Sequence, residues 1–186
     1  MPKLSKVAFI LLVLLVPVFL LTAADKKKAK KEKHPKAPKV TKAICMVHPL
    51  GDSKVHGTVF FAVHGKKVEV TGKIEGLTPG KHGFHVHEFG DCSSKDGMSA
   101  GGHFDPEHMP HGGPHSKKRH IGDLGNITAD ANRVAEIMIT DSKIKLSGAH
   151  SIIGRSIIVH AKEDDLKDIK SAGARIGCGV IGIAKP

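Results

Sequence analysis

From Val40 to the C-terminus, short runs of apolar residues alternate with polar ones, and each run closes on a turn signal. In Val68-Glu69-Val70-Thr71-Gly72-Lys73-Ile74 apolar residues fall mostly at every second position, the period of a strand with one buried face. The same pattern predicts strands over 42–47, 56–63, 67–74, 83–88, 127–129, 134–140, 144–146, 156–161 and 179–184. Gly51-Asp52, His64-Gly65 and Thr78-Pro79-Gly80 supply turns between the early strands. No helical period and no internal repeat interrupts the series, so the fold class is all-β, an antiparallel sandwich or barrel. Residues 90–122, rich in Gly and His, are too long for an idle connection in so small a domain, which marks them as functional or held by metal.

The N-terminus follows a different pattern. Lys3 and Lys6 precede an apolar run over 7–21, broken by Pro17 and followed by the small residues Thr22-Ala23-Ala24. The run is short beside the roughly 20 residues of a spanning helix, so residues 1–24 read as a cleaved export signal. The eight lysines between positions 26 and 39 favour retention of that side in the cytoplasm, and an uncleaved anchor is the alternative. Residues 25–39, low in complexity and interrupted by Pro35 and Pro38, form an extended tether. A plain spacer is the favoured reading; the other is a polybasic arm for anionic lipid, glycan or nucleic acid. Residues 40–186 make the domain.

Charge follows this division. Residues 1–39 hold 10 of the 29 basic and 2 of the 18 acidic side chains, so +8 of the net +11 lies there and +3 is spread over the remaining 147 residues. That excludes a uniformly basic nucleic-acid-binding domain, and no specific nucleic-acid partner is expected.

Fourteen histidines are the unusual count. His85 and His87, at i and i+2 in Gly83-Phe84-His85-Val86-His87, project from one face of a strand and can grip one metal ion. His103, His111, His120 and Asp123 follow in a Gly-rich stretch, three imidazoles and a carboxylate that make up a tetrahedral zinc set. His160 ends the otherwise apolar strand Ser156-Ile157-Ile158-Val159-His160. His34, His48, His56, His64, His82, His108, His115 and His150 fall on turns, the tether or exposed strand faces and read as solvated. Cys45, within the first strand, reads as a free buried thiol.

At these residues the sequence resembles the copper/zinc superoxide dismutase family. GFHVHEFGDC, AGGHFDP, HGGP, RHIGDLGNI, SIIGRSIIVHAKEDDL and AGARIGCGVIGIA stand in that family's order over residues 42–185. The resemblance implies a Greek-key β-sandwich closed into a flattened barrel with a long metal-binding loop. It implies copper on His85, His87, His103 and His160, and zinc on His103, His111, His120 and Asp123, with the His103 ring shared. The implied reaction turns two superoxide ions and two protons into O2 and H2O2, His103 delivering a proton and Arg175 docking the anion. Asp164 matches the carboxylate that links a copper histidine to a zinc histidine, here His85 and His111, with Asp165 as the alternative neighbour. Cys92 and Cys178 match the family disulfide, which agrees with an exported protein: periplasmic, extracellular or membrane-anchored outside the cytoplasm. Superoxide is then the substrate. A homodimer is implied without a transferable interface, because subunit pairing differs between branches, and the lysine-rich tether offers weak contact with a polyanion or an anionic membrane surface. The loop between Leu166 and Arg175 is shorter than in many relatives, which leaves Lys167 and Lys170 as its guiding charges. A copper-delivery or metal-buffering protein of the same fold is the alternative function.

Overall fold

The structure, a computed structural model, describes residues 39–186. The expectations for residues 1–24 and for the tether up to residue 38 lie outside these; Lys39 is exposed coil. Eight strands follow: β1 Lys42–Pro49, β2 His56–His64, β3 Lys67–Glu75, β4 Gly80–His87, β5 Asp123–Ala129, β6 Val134–Asp141, β7 Ser156–His160 and β8 Arg175–Ile183. All pairings are antiparallel, in the order β5-β4-β7-β8-β1-β2-β3-β6, and the edge strands β5 and β6 approach one another, so the sheet nearly closes. The pairs β4–β5 and β7–β8 lie beyond β1 from β3 and β6, the over-crossing that makes the barrel a Greek key.

Alternation places the core. Along β3, Val68, Val70 and Ile74 point inward and Glu69 and Lys73 outward. Their inward neighbours include Phe61, Phe84 and Ile181, each essentially without exposed surface; burying a side chain of that size contributes about 1.5–3 kcal/mol. β4 departs from the rule because both its faces are covered. Phe84 and Val86 enter the barrel, while His85 and His87 on the outer face lie beneath the loops that follow.

Two sequence expectations fail on local phase. His82, expected to be solvated, is 2% exposed. β4 starts at Gly80, earlier than expected, so His82 falls in step with Phe84 and Val86 and turns inward; its Nδ1 lies 2.8 Å from His160 O and its Nε2 2.8 Å from Thr78 O. Residues 144–146, expected to be a strand, form a bend with one bridge, Lys145 to Ser151. The Asp141 carboxylate accepts from Lys143 N at 2.7 Å and Ile144 N at 2.9 Å, which turns the chain and buries Ile144 and Leu146 at the barrel's edge.

Candidate metal centre

Backbone pairing along β4 gathers the site. Glu88 N donates to Gly102 O, Phe104 N to Val86 O, and Val86 N to Gly122 O, each at 2.9 Å, and His87 and His103 form a bridge. The long loop therefore runs as an extra partner of β4 and carries His103 to the face of His85 and His87. Gly122 allows this approach, since a Cβ there would meet Val86 O at 2.1 Å. β7 pairs with β4 on the other side, and a register shift at Val159/His160 re-aims His160 toward the same face.

His85, His87, His103 and His160 offer ligand atoms that all lie within 4.8 Å of one another. Among the described residues, the buried ring nitrogens His85 Nδ1, His87 Nε2 and His160 Nε2 find no hydrogen-bond partner. Their opposite nitrogens are all engaged: His85 Nε2 with Asp164 Oδ2 at 2.8 Å, His87 Nδ1 with Gly101 O at 3.0 Å, and His160 Nδ1 with Gly173 O at 3.1 Å. Because these partners accept, each proton is fixed on the engaged nitrogen and a lone pair is left on the other. Buried polar atoms are rarely left without a partner, and three of them facing one point fit a metal ion.

The second set is His103, His111, His120 and Asp123, whose ligand atoms also lie within 4.8 Å of one another. Nδ1 of His103, His111 and His120 stands 2.7, 3.1 and 3.1 Å from the single atom Asp123 Oδ1. Three imidazoles exceed what one oxygen can accept, and His111 Nδ1 makes no hydrogen bond despite its proximity. The spacing is close to the ligand-to-ligand edge of a tetrahedral zinc, about 3.3 Å for bonds near 2.0–2.1 Å. Asp123 Oδ2 accepts from Gly112 N at 3.0 Å and His120 N at 2.9 Å, which fixes the carboxylate. His103 belongs to both sets, its ring standing between them.

Asp164 joins the two sets: Oδ2 meets His85 Nε2 at 2.8 Å and Oδ1 meets His111 Nε2 at 2.9 Å. Asp165, the alternative neighbour, is exposed and instead accepts from Lys167 N and Asp168 N. Asn126 on β5 secures Asp164 by a reciprocal pair, donating from Nδ2 to Asp164 O at 2.9 Å and accepting Asp164 N at 2.8 Å. Neither Asn126 nor Arg119 stood out in the sequence. Arg119, 1% exposed, pairs with Asp141 and donates to the carbonyls of His120, Ile121 and Asp123, bracing the turn that carries two donors. The RHIGD string signals the Arg, but its partner 22 residues on is visible only in the fold.

The electrostatics prepare the site for a cation. Burial, followed by the charges of His103, Arg175 and His160, pushes the His87 pKa well below its ordinary value. Burial likewise lowers His160 to about 3, and lowers His103 to about 4 against the pull of Asp123. Burial acts against protonated His111, yet the Asp123 and Asp164 carboxylates raise it to about 10. Burial would raise Asp123 and Asp164, but their histidine partners hold both well below the usual carboxylate range. Neutral imidazoles and ionised carboxylates are the ligand forms, already favoured for His87, His103, His160 and both carboxylates, whereas His111 gives up a proton when it takes a metal.

Arg175 begins β8 opposite His160. Its Nη1 donates to Gly97 O at 2.6 Å and its Nη2 to Gly101 O at 2.8 Å. Gly101 O thus receives both Arg175 and His87 Nδ1. Gly101 needs its positive φ of 74°, and a Cβ there would press into the Phe89 ring at 2.7 Å. A disulfide between Cys92 and Cys178 fastens this loop to β8, over a small cluster of Leu50, Ala100 and Ile158. Lys167 and Lys170 are exposed on the short loop before Arg175.

Residues 55–181 match the family model for copper/zinc superoxide dismutase (SODC). The chain is also similar to a solved structure described as that of the clock protein EA4, with 41% identity and a TM-score of 0.74, over 81% of this chain and 99% of that one.

Proposed function

This chain belongs to the copper/zinc superoxide dismutase family, and from that premise we propose that it dismutes superoxide at a copper held by His85, His87, His103 and His160 beside a zinc held by His103, His111, His120 and Asp123. The observation that carries the reading is the convergence of His85 Nδ1, His87 Nε2 and His160 Nε2, buried and without hydrogen-bond partners. An all-imidazole set suits a copper that changes oxidation state, and the set with a carboxylate suits redox-inert zinc. Bound copper supplies the one-electron couple that oxidises one superoxide to O2 and reduces the next to peroxide.

The chain's own groups supply the rest. Arg175 spends two of its five N–H donors on Gly97 O and Gly101 O, which leaves three and a fixed positive charge for a small anion. Gly101 O sets Arg175 and His87 in register with each other. His103, its Nδ1 held at Asp123, turns its other ring nitrogen to the copper set, and that nitrogen would carry a proton to the reduced product when it is not bound to copper. Asp164 orients His85 and His111 together, so the two donor sets keep a constant relation. The Cys92–Cys178 disulfide supports export to an oxidising compartment outside the cytoplasm.

The test is the full chain loaded with one equivalent each of copper and zinc and mixed with superoxide in stopped flow. Catalytic, reductant-independent loss of superoxide is expected. Full copper occupancy with no acceleration would reject dismutation in favour of metal carriage.

A further inference from the structure

One end of the barrel presents lysines that no carboxylate answers among the described residues. Lys39 ahead of β1, Lys66 and Lys67 at the β2–β3 turn, and Lys145 after β6 line one groove, and Lys67, Lys117 and Lys143 line the next, with Lys67 and Ser142 common to both. The register explains how distant stretches of sequence meet here. Lys42 pairs with Ala62, His64 with Lys67 and Val68 with Asp141, so β1 and β3 begin where β2 and β6 end.

Two of the six ammonium groups are fixed without being neutralised. Lys143 Nζ donates to Lys117 O at 3.1 Å and Arg119 O at 3.3 Å, and Lys145 Nζ donates to Lys66 O at 2.8 Å and to Ser142 O. Among the described residues the lysine–carboxylate pairs are Lys73–Glu75 and Lys81–Glu163, both elsewhere. Asp141, which borders the patch, is buried against Arg119, and nearby Glu69 lies 3.1 Å from His64. The 147 residues after Lys39 sum to +3, less than the five patch lysines among them, so the rest of the domain is net negative and the molecule is polarised.

We propose that this end is a docking face for an anionic membrane surface. Lysine ammonium groups, as compact point charges rather than bidentate forks, suit the diffuse charge of lipid headgroups. The chain enters the barrel at this end, and the sequence leading into it is a lysine run preceded by the apolar segment over 7–21, both of a composition that engages lipid. Orientation agrees. Ile183, at the far end of β8 from Arg175, pairs with Ala43 beside Lys42, and the nine residues of β8 place the arginine roughly 26 Å away along the strand. A molecule seated on the lysine end keeps Arg175 turned away from that surface, while Lys117 sits on the loop between the zinc-set residues His111 and His120. None of this depends on the reaction catalysed.

The experiment is co-sedimentation of the full chain with vesicles of phosphatidylcholine alone and of phosphatidylcholine with phosphatidylserine, read as the ratio of the two partition coefficients so that the apolar segment cancels. Lys66, Lys67 and Lys117 are exposed, and replacing all three by Gln should lower the ratio about a hundredfold at low salt, since each lysine near such a surface contributes about a factor of five. Lys54→Gln, Lys95→Gln and Lys170→Gln together should leave it nearly unchanged. A ratio equal to that of the native chain in the patch variant would overturn the proposal and leave the N-terminal lysines as the sole electrostatic contact. So would loss of binding to soluble dextran sulfate with vesicle binding intact, which would identify a soluble polyanion instead.

Discussion

Each donor histidine owes its direction to what holds its opposite nitrogen, and this sets what single substitutions do. His160→Ala should abolish copper binding and dismutation while largely sparing zinc, because His160 belongs to one donor set only. Asp123→Ala should weaken zinc first, leaving three Nδ1 atoms without their common carboxylate; metal analysis after dialysis distinguishes the two losses, and retention of full activity in His160→Ala would refute the copper assignment. Titration gives a further expectation for the metal-free chain. His103 and His160 stay neutral down to about 4 and about 3, whereas unfolded histidines protonate near ~6.5, so stability falls as pH drops below ~6.5. His111, raised to about 10, contributes stability that is complete below ~6.5 and lost as pH climbs through its folded value. Calorimetry from acid to alkali should therefore give a melting temperature that declines on both flanks; a flat acid limb would refute the buried neutral histidines. The donors themselves were legible because short motifs carry them. His82 was not, since one residue of phase at a strand start decides whether a side chain meets water or the core.

Among the elements, the long loop between β4 and β5 is fastened by pairing along β4 and by the disulfide. The bridge spans 86 residues, and closing a loop of that length is worth about 4–5 kcal/mol in the chain-entropy model. Reduction should lower the denaturation midpoint accordingly. It should also depress activity more than copper content, because the freed segment carries the Gly97 and Gly101 carbonyls that seat Arg175. Equal losses of copper and activity would contradict that coupling. Cys45 is a separate matter: fully buried, its thiol pushed up to about 12 by desolvation. It should resist alkylation in the native chain and react on unfolding, with the bridge unaffected; rapid native labelling would contradict this. The strands were readable from alternation wherever one face met solvent, as along β3. Alternation misled at residues 144–146, where a carboxylate-capped bend imitates a strand by burying every second residue. It also missed the first residues of β5 and β8, where Gly and polar side chains join the ladder for tertiary reasons.

At the scale of the whole molecule, charge and topology divide the barrel. Superoxide is a small anion, and the field of Arg175 with Lys167 and Lys170 should speed its arrival, screened by salt over about 10 Å at ~0.1 M. The second-order rate should fall with ionic strength, and Arg175→Ala should flatten most of that slope with copper content unchanged. A slope that survives in this variant but disappears when residues 25–39 are deleted would move the guidance to the lysine run. The topology separates labour as well. Among the described residues the metal-centre donors come from β4, β5, β7 and the long loop, with Arg175 added by β8, and none from β1, β2, β3 or β6. β1, β2 and β3 are successive hairpin neighbours, whereas β1–β8, β4–β7 and the disulfide join residues far apart in sequence. Local pairings close early and distant ones late, because chain entropy must be spent before a long-range contact repays it. On that argument the meander without chemistry should form first and the site last, so a chain arrested midway in folding would own a barrel wall and no place for a metal.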